Sequence, residues 1–158
     1  MKNIKILFVC LGNICRSPSA QTIMQKFVDE KGLHDKYEID SAGILGFHSG
    51  APADRRMREH AARRGYTITH RSRQVYPQYD FDHFDLIIGM DDRNIVDLRN
   101  LTSENAQLKK IKKMTSYNRL FKESSIPDPY YGGYEGFEYV LDLLEDACKG
   151  LLTELEEL

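Results

Sequence analysis

The sequence predicts an α/β fold: one doubly wound domain over residues 1–158, with a central four-stranded parallel sheet in the order 2-1-3-4 and helices on both faces. Three observations carry this expectation. Short runs such as Ile4-Lys5-Ile6-Leu7-Phe8-Val9 and Phe84 to Met90 are almost continuous in apolar residues, the pattern of strands buried on both faces. Strand signals alternate with helix signals along the chain, and parallel strands need such crossovers. The closing segment repeats apolar residues at Phe137, Val140, Leu141, Leu144, Cys148, Leu151, Leu152 and Leu155, the stripe of a helix lying on a core.

Each element has a local reason. Ile4 to Val9 is the first strand. Ser17-Pro18 then reads as an N-cap followed by Pro at the first helical position. Ala20, Ile23, Met24, Phe27 and Val28 keep helical spacing, and Gly32 stops the helix. Tyr37 to Asp40 is a second short strand, ending at Ser41-Ala42-Gly43. Residues 44–53 are rich in Gly, His and Pro and read as a loop. Asp54 caps a helix to about Arg64, with Gly65 ending it. After the strand from Phe84 to Met90, Asp91 caps a helix through Ile95, Val96 and Leu98. Lys109 to Met114 is a weaker fourth strand, and Ser124 to Gly136 a long loop with Pro127 and Pro129. Open sheets of this kind bind ligands beyond the carboxyl ends of their strands, so the loop opening at Cys10 is the natural place for a site.

Composition narrows the function classes. The chain is 41% hydrophobic and 29% charged, an ordinary balance for a soluble protein. A net charge of -2 lacks the basic excess of a nucleic-acid binder. The one dense basic run, Lys109-Lys110-Ile111-Lys112-Lys113, reads as a partly solvated strand edge. No stretch approaches the ~20 apolar residues of a membrane span, and the N-terminal run is too short and strand-like for a signal peptide. The expectation is a cytoplasmic chain with neither nucleic-acid nor membrane partners. Three cysteines, an odd number, speak for reduced thiols rather than a disulfide framework.

The chemistry concentrates in Val9-Cys10-Leu11-Gly12-Asn13-Ile14-Cys15-Arg16-Ser17. Gly12 permits a backbone turn closed to most side chains, and Asn13 tolerates left-handed geometry. Such a loop can turn successive amides inward as an anion nest, and the helix starting near Ser17 adds the positive end of its dipole. Residues 11–17 are therefore the expected phosphate site: Leu11, Gly12, Asn13, Ile14, Cys15, Arg16 and Ser17. Arg16 supplies a planar fork for two phosphate oxygens. Helix N-termini and nearby cations favour the thiolate form of a cysteine, so Cys10 is the candidate nucleophile. A nucleotide-binding P-loop is excluded, because no Gly-Lys-Ser/Thr is present. Taken alone, Asp128 reads as a turn residue between two prolines, Ser41 and His70 as polar residues at strand ends, Tyr130 and Tyr131 as loop aromatics, and Cys15 as a small buried residue. Cys148 belongs to the apolar stripe.

The string from Val9 to Ser17 closely resembles the low-molecular-weight protein tyrosine phosphatases. Asp40-Ser41-Ala42-Gly43, His70-Arg71-Ser72-Arg73, Met90-Asp91-Asp92-Arg93-Asn94 and Asp128-Pro129-Tyr130-Tyr131-Gly132-Gly133 extend the resemblance over nearly the whole chain. It implies a phosphocysteine on Cys10, Arg16 on the phosphate, and Asp128 as the general acid. It implies a hydrogen-bond network of Asn13, Ser17, Ser41 and His70, and a cleft walled by Phe47, Tyr130 and Tyr131. It makes Cys15 a thiol that captures oxidised Cys10. It implies no cofactor and no metal, phosphotyrosine proteins and small aryl phosphates as substrates, and a monomer or weak homodimer. Ile44-Leu45-Gly46-Phe47 is the least typical match.

Alternatives exist on the same scaffold. Arsenate reductases of this shape need further relay cysteines, and the loop after residue 70 has none. A phosphoarginine branch resembles members with Thr where this chain has Ile14. A phosphotyrosine-binding module without turnover would have little use for Cys10, Arg16 and Asp128 together.

Overall fold

A computed structural model of the chain describes residues 3–131 and 134–158. Four parallel strands form one sheet, β1 (Ile4–Cys10), β2 (Tyr37–Gly43), β3 (Leu86–Gly89) and β4 (Ile111–Lys113), in the order β2-β1-β3-β4. Both the parallel arrangement and the strand order agree with the sequence expectation. Among the described residues six helices connect or close the sheet: α1 (Arg16–Glu30), α2 (Arg55–Arg63), α3 (Pro77–His83), α4 (Asp92–Arg99), α5 (Asn105–Leu108) and α6 (Tyr134–Glu156).

β1 shows why its apolar run is continuous. Alternate side chains of a strand point to opposite faces. Ile6, Phe8 and Cys10 join one core cluster with residues of α1, α2 and α6. Leu7 and Val9 join a second cluster with Phe81 of α3 and Leu98 of α4. Ile6 to Val9 have no exposed surface. Burying each such side chain contributes about 1.5–3 kcal/mol, so β1 anchors both layers.

The helix ends follow local chemistry. Asp54 caps α2, its carboxylate accepting from the amides of Arg56 and Met57. Asp91 and Asn94 form a reciprocal capping box on α4. Gly32 and Gly65 adopt φ of 68° and 86° just beyond α1 and α2, where a left-handed residue turns the chain out of the helix. In α6 the residues from Phe137 to Leu152 that form the expected stripe are buried. Where α6 crosses the short 3-10 turn at Met114–Tyr117, a Cβ built on Gly150 would lie 1.9 Å from the Tyr117 carbonyl oxygen. Gly150 is therefore a contact point between backbones.

Several boundaries differ from expectation. α1 begins at Arg16 with Cys15 as its N-cap, and no side chain caps it. Ser17 lies inside the first turn, because its hydroxyl is engaged with Cys10 and Asn13 instead. Gly12 does not have positive φ; the left-handed residue is Asn13, at 57°. A Cβ on Gly12 would instead meet the His48 ring at 3.2 Å. β3 and β4 are shorter than their apolar runs suggest. α3 and α5 go beyond the sequence expectation, since α3 buries only Asp80 and Phe81 and α5 only Gln107, too little to mark an inner face. The loop from Ser124 contains a 3-10 turn at Pro129–Tyr131, and α6 starts at Tyr134. Among the described residues no helix is long and apolar enough to cross a membrane.

Candidate active site

β1 ends at Cys10, and residues 11–15 wrap from there into α1. The loop's carbonyls are fastened outward. Those of Cys10 and Leu11 accept from the amides of Ile44 and Leu45 (3.0 and 2.9 Å), and that of Ile14 from the amide of Asp54 (2.8 Å). The Gly12 carbonyl accepts from the Ser72 hydroxyl at 3.0 Å, and the Cys15 carbonyl from that of Ser19 at 2.6 Å. In a trans peptide the N–H points opposite to the preceding C=O. The N–H groups of residues 11, 12, 13, 15 and 16 therefore face the other way, and none of them donates to a described residue. Amides turned to one side in this way form a nest that can take an anion. It leans against β2, where a Cβ on Gly43 would meet the Gly12 carbonyl carbon and the Leu11 oxygen, each at 3.0 Å.

Asn13 organises the buried side of the loop. Its amide nitrogen donates to Ser17 Oγ (2.7 Å) and Ser41 Oγ (3.0 Å). Its carbonyl oxygen accepts from His70 Nε2 (2.9 Å) and the Arg73 amide (3.0 Å). Ser41 passes its own proton to Gln21 Oε1 at 2.6 Å. With Asn13 already donating to it, the Ser17 hydroxyl has its proton available for Cys10 Sγ, 3.0 Å away. The structure thus brings Asn13, Ser17, Ser41 and His70 together in one hydrogen-bonded group. Burial first, then the Arg73 charge, hold the His70 imidazole below its ordinary pKa, against the opposing pull of Asp40 and the Ser41 backbone. Arg73 is itself held by Asp40 and by the fully buried Asp80 of α3. Sequence reading missed Gln21, Arg73 and Asp80 as supports, because each meets its partner only through the fold.

Arg16 is almost fully buried and points into the same cleft. Nη1 donates to Asp91 Oδ2 (2.6 Å) and the Ile126 carbonyl (3.0 Å). Burial works against its charge, yet Cys10, Asp91 and Asp128 outweigh it, and the guanidinium is held above its ordinary pKa. Asp91 serves two ends at once: Oδ1 caps α4 at Asn94 and Oδ2 fixes Arg16. The sequence showed only its capping role.

Asp128 lies across the cleft, its Oδ2 at 3.6 Å from Arg16 Nη2. Its Oδ1 accepts from the Tyr130 amide at 2.9 Å, a turn locked on the carboxylate itself. Cys10, Leu11, Gly12, Ile14, Cys15, Arg16, Leu45, Phe47, His48, Asp128 and Tyr130 enclose a cleft of about 210 Å³. Phe47 stands at its rim, 85% exposed, and Tyr130 forms the facing wall at 38%. The Tyr131 side chain lies outside the described residues. Cys15 is buried; burial foremost, then the negative charges of Asp54, Cys10 and Asp128, push its thiol well up, so it stays protonated.

Comparison with known proteins agrees with this geometry. The family model described as "Low molecular weight phosphotyrosine protein phosphatase" matches residues 5–158. A Synechocystis sp. relative, whose name places it among the low molecular weight protein-tyrosine-phosphatases, is 48% identical over 152 residues, covering 96% of each chain. A crystal structure of a protein tyrosine phosphatase from Entamoeba histolytica superposes with a TM-score of 0.94 at 46% identity, covering 98% of this chain and 97% of that one. A Drosophila arginine phosphatase superposes with a TM-score of 0.89 at 30% identity, covering 96% and 98%. With the fold, the inward-facing loop and these likenesses in agreement, the chain belongs to the low molecular weight phosphotyrosine protein phosphatase family.

Proposed function

We propose that this chain hydrolyses phosphotyrosine in proteins, and small aryl phosphate monoesters, through a phosphocysteine on Cys10. One observation carries the reading: Cys10, the inward amides, Arg16 and Asp128 line a single cleft, with Asp128 beside the guanidinium that would hold the phosphate. The Cys10 thiolate attacks phosphorus. The S–P bond forms as the aryl P–O bond breaks, and Asp128 gives its proton to the leaving phenolate oxygen. A positioned acid of this kind is worth about 10²–10⁴ in rate. Water then attacks the phosphocysteine, the Asp128 carboxylate takes its proton, and inorganic phosphate leaves with the thiolate restored. The loop amides and Arg16 stabilise charge on the equatorial oxygens throughout. The Ser17 hydroxyl stabilises the sulfur as a leaving group.

An aryl substrate fits the apolar walls of Ile14, Leu45, Phe47 and Tyr130. Cys15 lines the same cleft as Cys10, and in our reading it captures a Cys10 sulfenic acid, giving a disulfide and water; the raised pKa of its thiol makes that capture slow, because the thiolate is the attacking form. The three free thiols and the need for a reduced Cys10 support work in the cytoplasm.

Phosphoarginine is the second reading, favoured by the Drosophila neighbour and opposed by Ile14 in the cleft wall. Turnover of phosphotyrosine and phosphoarginine peptides in EDTA, with wild type and Cys10→Ser, separates the two. The expected result is phosphotyrosine hydrolysis that survives EDTA and falls by roughly 10⁴-fold or more in the serine variant. Preference for phosphoarginine, loss of activity in EDTA, or activity kept by Cys10→Ser would refute it.

A further inference from the structure

The nucleophile loop and the acid come from opposite ends of the chain, and a proton can reach the leaving oxygen only if their separation is fixed. Arg16 spans the cleft on one side. A second connection runs on the other side, beneath Tyr130, and it centres on Arg56.

It begins at the loop itself, where the Ile14 carbonyl accepts from the Asp54 amide at 2.8 Å. The Asp54 carboxylate receives the Arg56 fork, Nε to Oδ1 at 3.2 Å and Nη2 to Oδ2 at 3.1 Å. The same Nη2 donates to the Tyr130 carbonyl at 3.0 Å. The guanidinium also lies 5.5 Å from the Tyr130 ring centroid and 4.8 Å from that of Phe137. Arg56 thus holds Tyr130 by its carbonyl and by its ring face, a combination that a planar, multiply donating cation provides and an ammonium does not. The Tyr130 amide in turn holds Asp128 Oδ1 at 2.9 Å. Each link joins the next without a gap, from the phosphate loop to the acid.

We propose that Arg56 is a positioning residue for proton transfer: it sets the Asp128 carboxyl over the phosphate loop by clamping Tyr130 to Asp54. Arg56 touches neither phosphorus nor the leaving oxygen, and acts through Asp128. The proposal rests on the reading of Asp128 as the general acid. Asp54 is the fixed end of the clamp, because its carboxylate is also the N-cap of α2. Losing the clamp lets the acid drift, and a displacement near 1 Å can cost up to about 10²-fold in a geometry-dependent step.

The effect must depend on the leaving group. p-Nitrophenolate departs with little help, whereas phenolate needs the proton. The test compares kcat/KM, which reports the first phosphoryl transfer, for phenyl phosphate and p-nitrophenyl phosphate. Arg56→Met keeps the apolar stem and removes the fork. Asp54→Asn keeps the helix cap and weakens the fork. Asp128→Asn is run in parallel, and thermal melting reports folding. The expected result is a loss about tenfold greater for phenyl than for p-nitrophenyl phosphate in Arg56→Met, a smaller bias of the same sign in Asp54→Asn, and no added bias when Arg56→Met is combined with Asp128→Asn. Equal losses on both substrates in Arg56→Met, or a bias in the double variant larger than that of Asp128→Asn alone, would overturn the clamp. If Asp128→Asn itself shows no bias, the acid assignment falls and the clamp falls with it. If Asp128→Asn shows the bias and Arg56→Met does not, only the clamp falls.

Discussion

At the scale of single residues the site depends on Asn13 more than its lack of direct chemistry suggests. It is the only residue other than glycine with positive φ among those described, and it makes four hydrogen bonds from a nearly fully buried position. Those two roles can be separated. Asn13→Gly keeps the left-handed backbone and loses the hydrogen bonds; Asn13→Ala loses both. Left-handed geometry costs an ordinary residue roughly 1–2 kcal/mol, and each buried donor left without an acceptor about 1–3 kcal/mol. Alanine should therefore melt lower than glycine, while both lose activity to a similar degree, since neither orients Ser17 toward Cys10. Melting curves and p-nitrophenyl phosphate kinetics check this; near-wild-type kcat/KM in Asn13→Gly would show that the network has no bearing on Cys10. The legibility of residues followed the same division. Cys10, Arg16 and Asn13 could be read because they sit seven positions or fewer apart in one loop. Asp128 needed the resemblance, since an Asp before Pro is locally a turn. The Asp91 contact to Arg16 and the roles of Gln21 and Arg56 stayed hidden, because these partners are brought in by the fold and leave no local signal.

At the scale of elements, periodicity decided what was legible. β1 and α6 each bury nearly every position their pattern marked, so period and length identified them. α3 and α5 have only seven and four residues, too few for a 3.6-residue period to show. Yet α3 supplies Asp80, the buried carboxylate that steadies Arg73 and so the segment carrying His70. Gly150 is the most exacting position in α6. Alanine is ordinarily favoured over glycine inside a helix by about 1 kcal/mol. Here its methyl would enter the Tyr117 carbonyl at 1.9 Å, and overpacking of this sort costs about 1–3 kcal/mol or more. Gly150→Ala should lower the melting temperature despite its better helix propensity. A rise in melting temperature would mean that α6 and the 3-10 turn do not approach so closely.

At the scale of the molecule, the strand order creates the site. The chain leaves β1 toward β2 on one side and leaves β3 toward β4 on the other, so a crevice opens between the carboxyl ends of β1 and β3. Cys10 ends β1 in that crevice. The loop after β2 brings Leu45, Phe47 and His48 to one wall, and the segment before α6 brings Asp128 and Tyr130 to the other. The ion pairs from Arg64 of the α2 C-cap to Glu138, Asp142 and Glu145 hold these two walls' helices together. The central claim is that the reaction passes through sulfur. The direct measurement is rapid acid quench during phosphotyrosine turnover, followed by peptide mass spectrometry. The account predicts a phosphoryl group on the peptide carrying Cys10 and on no other, lost in Cys10→Ser; steady turnover with that peptide unmodified, or with phosphate on a different residue, would contradict it.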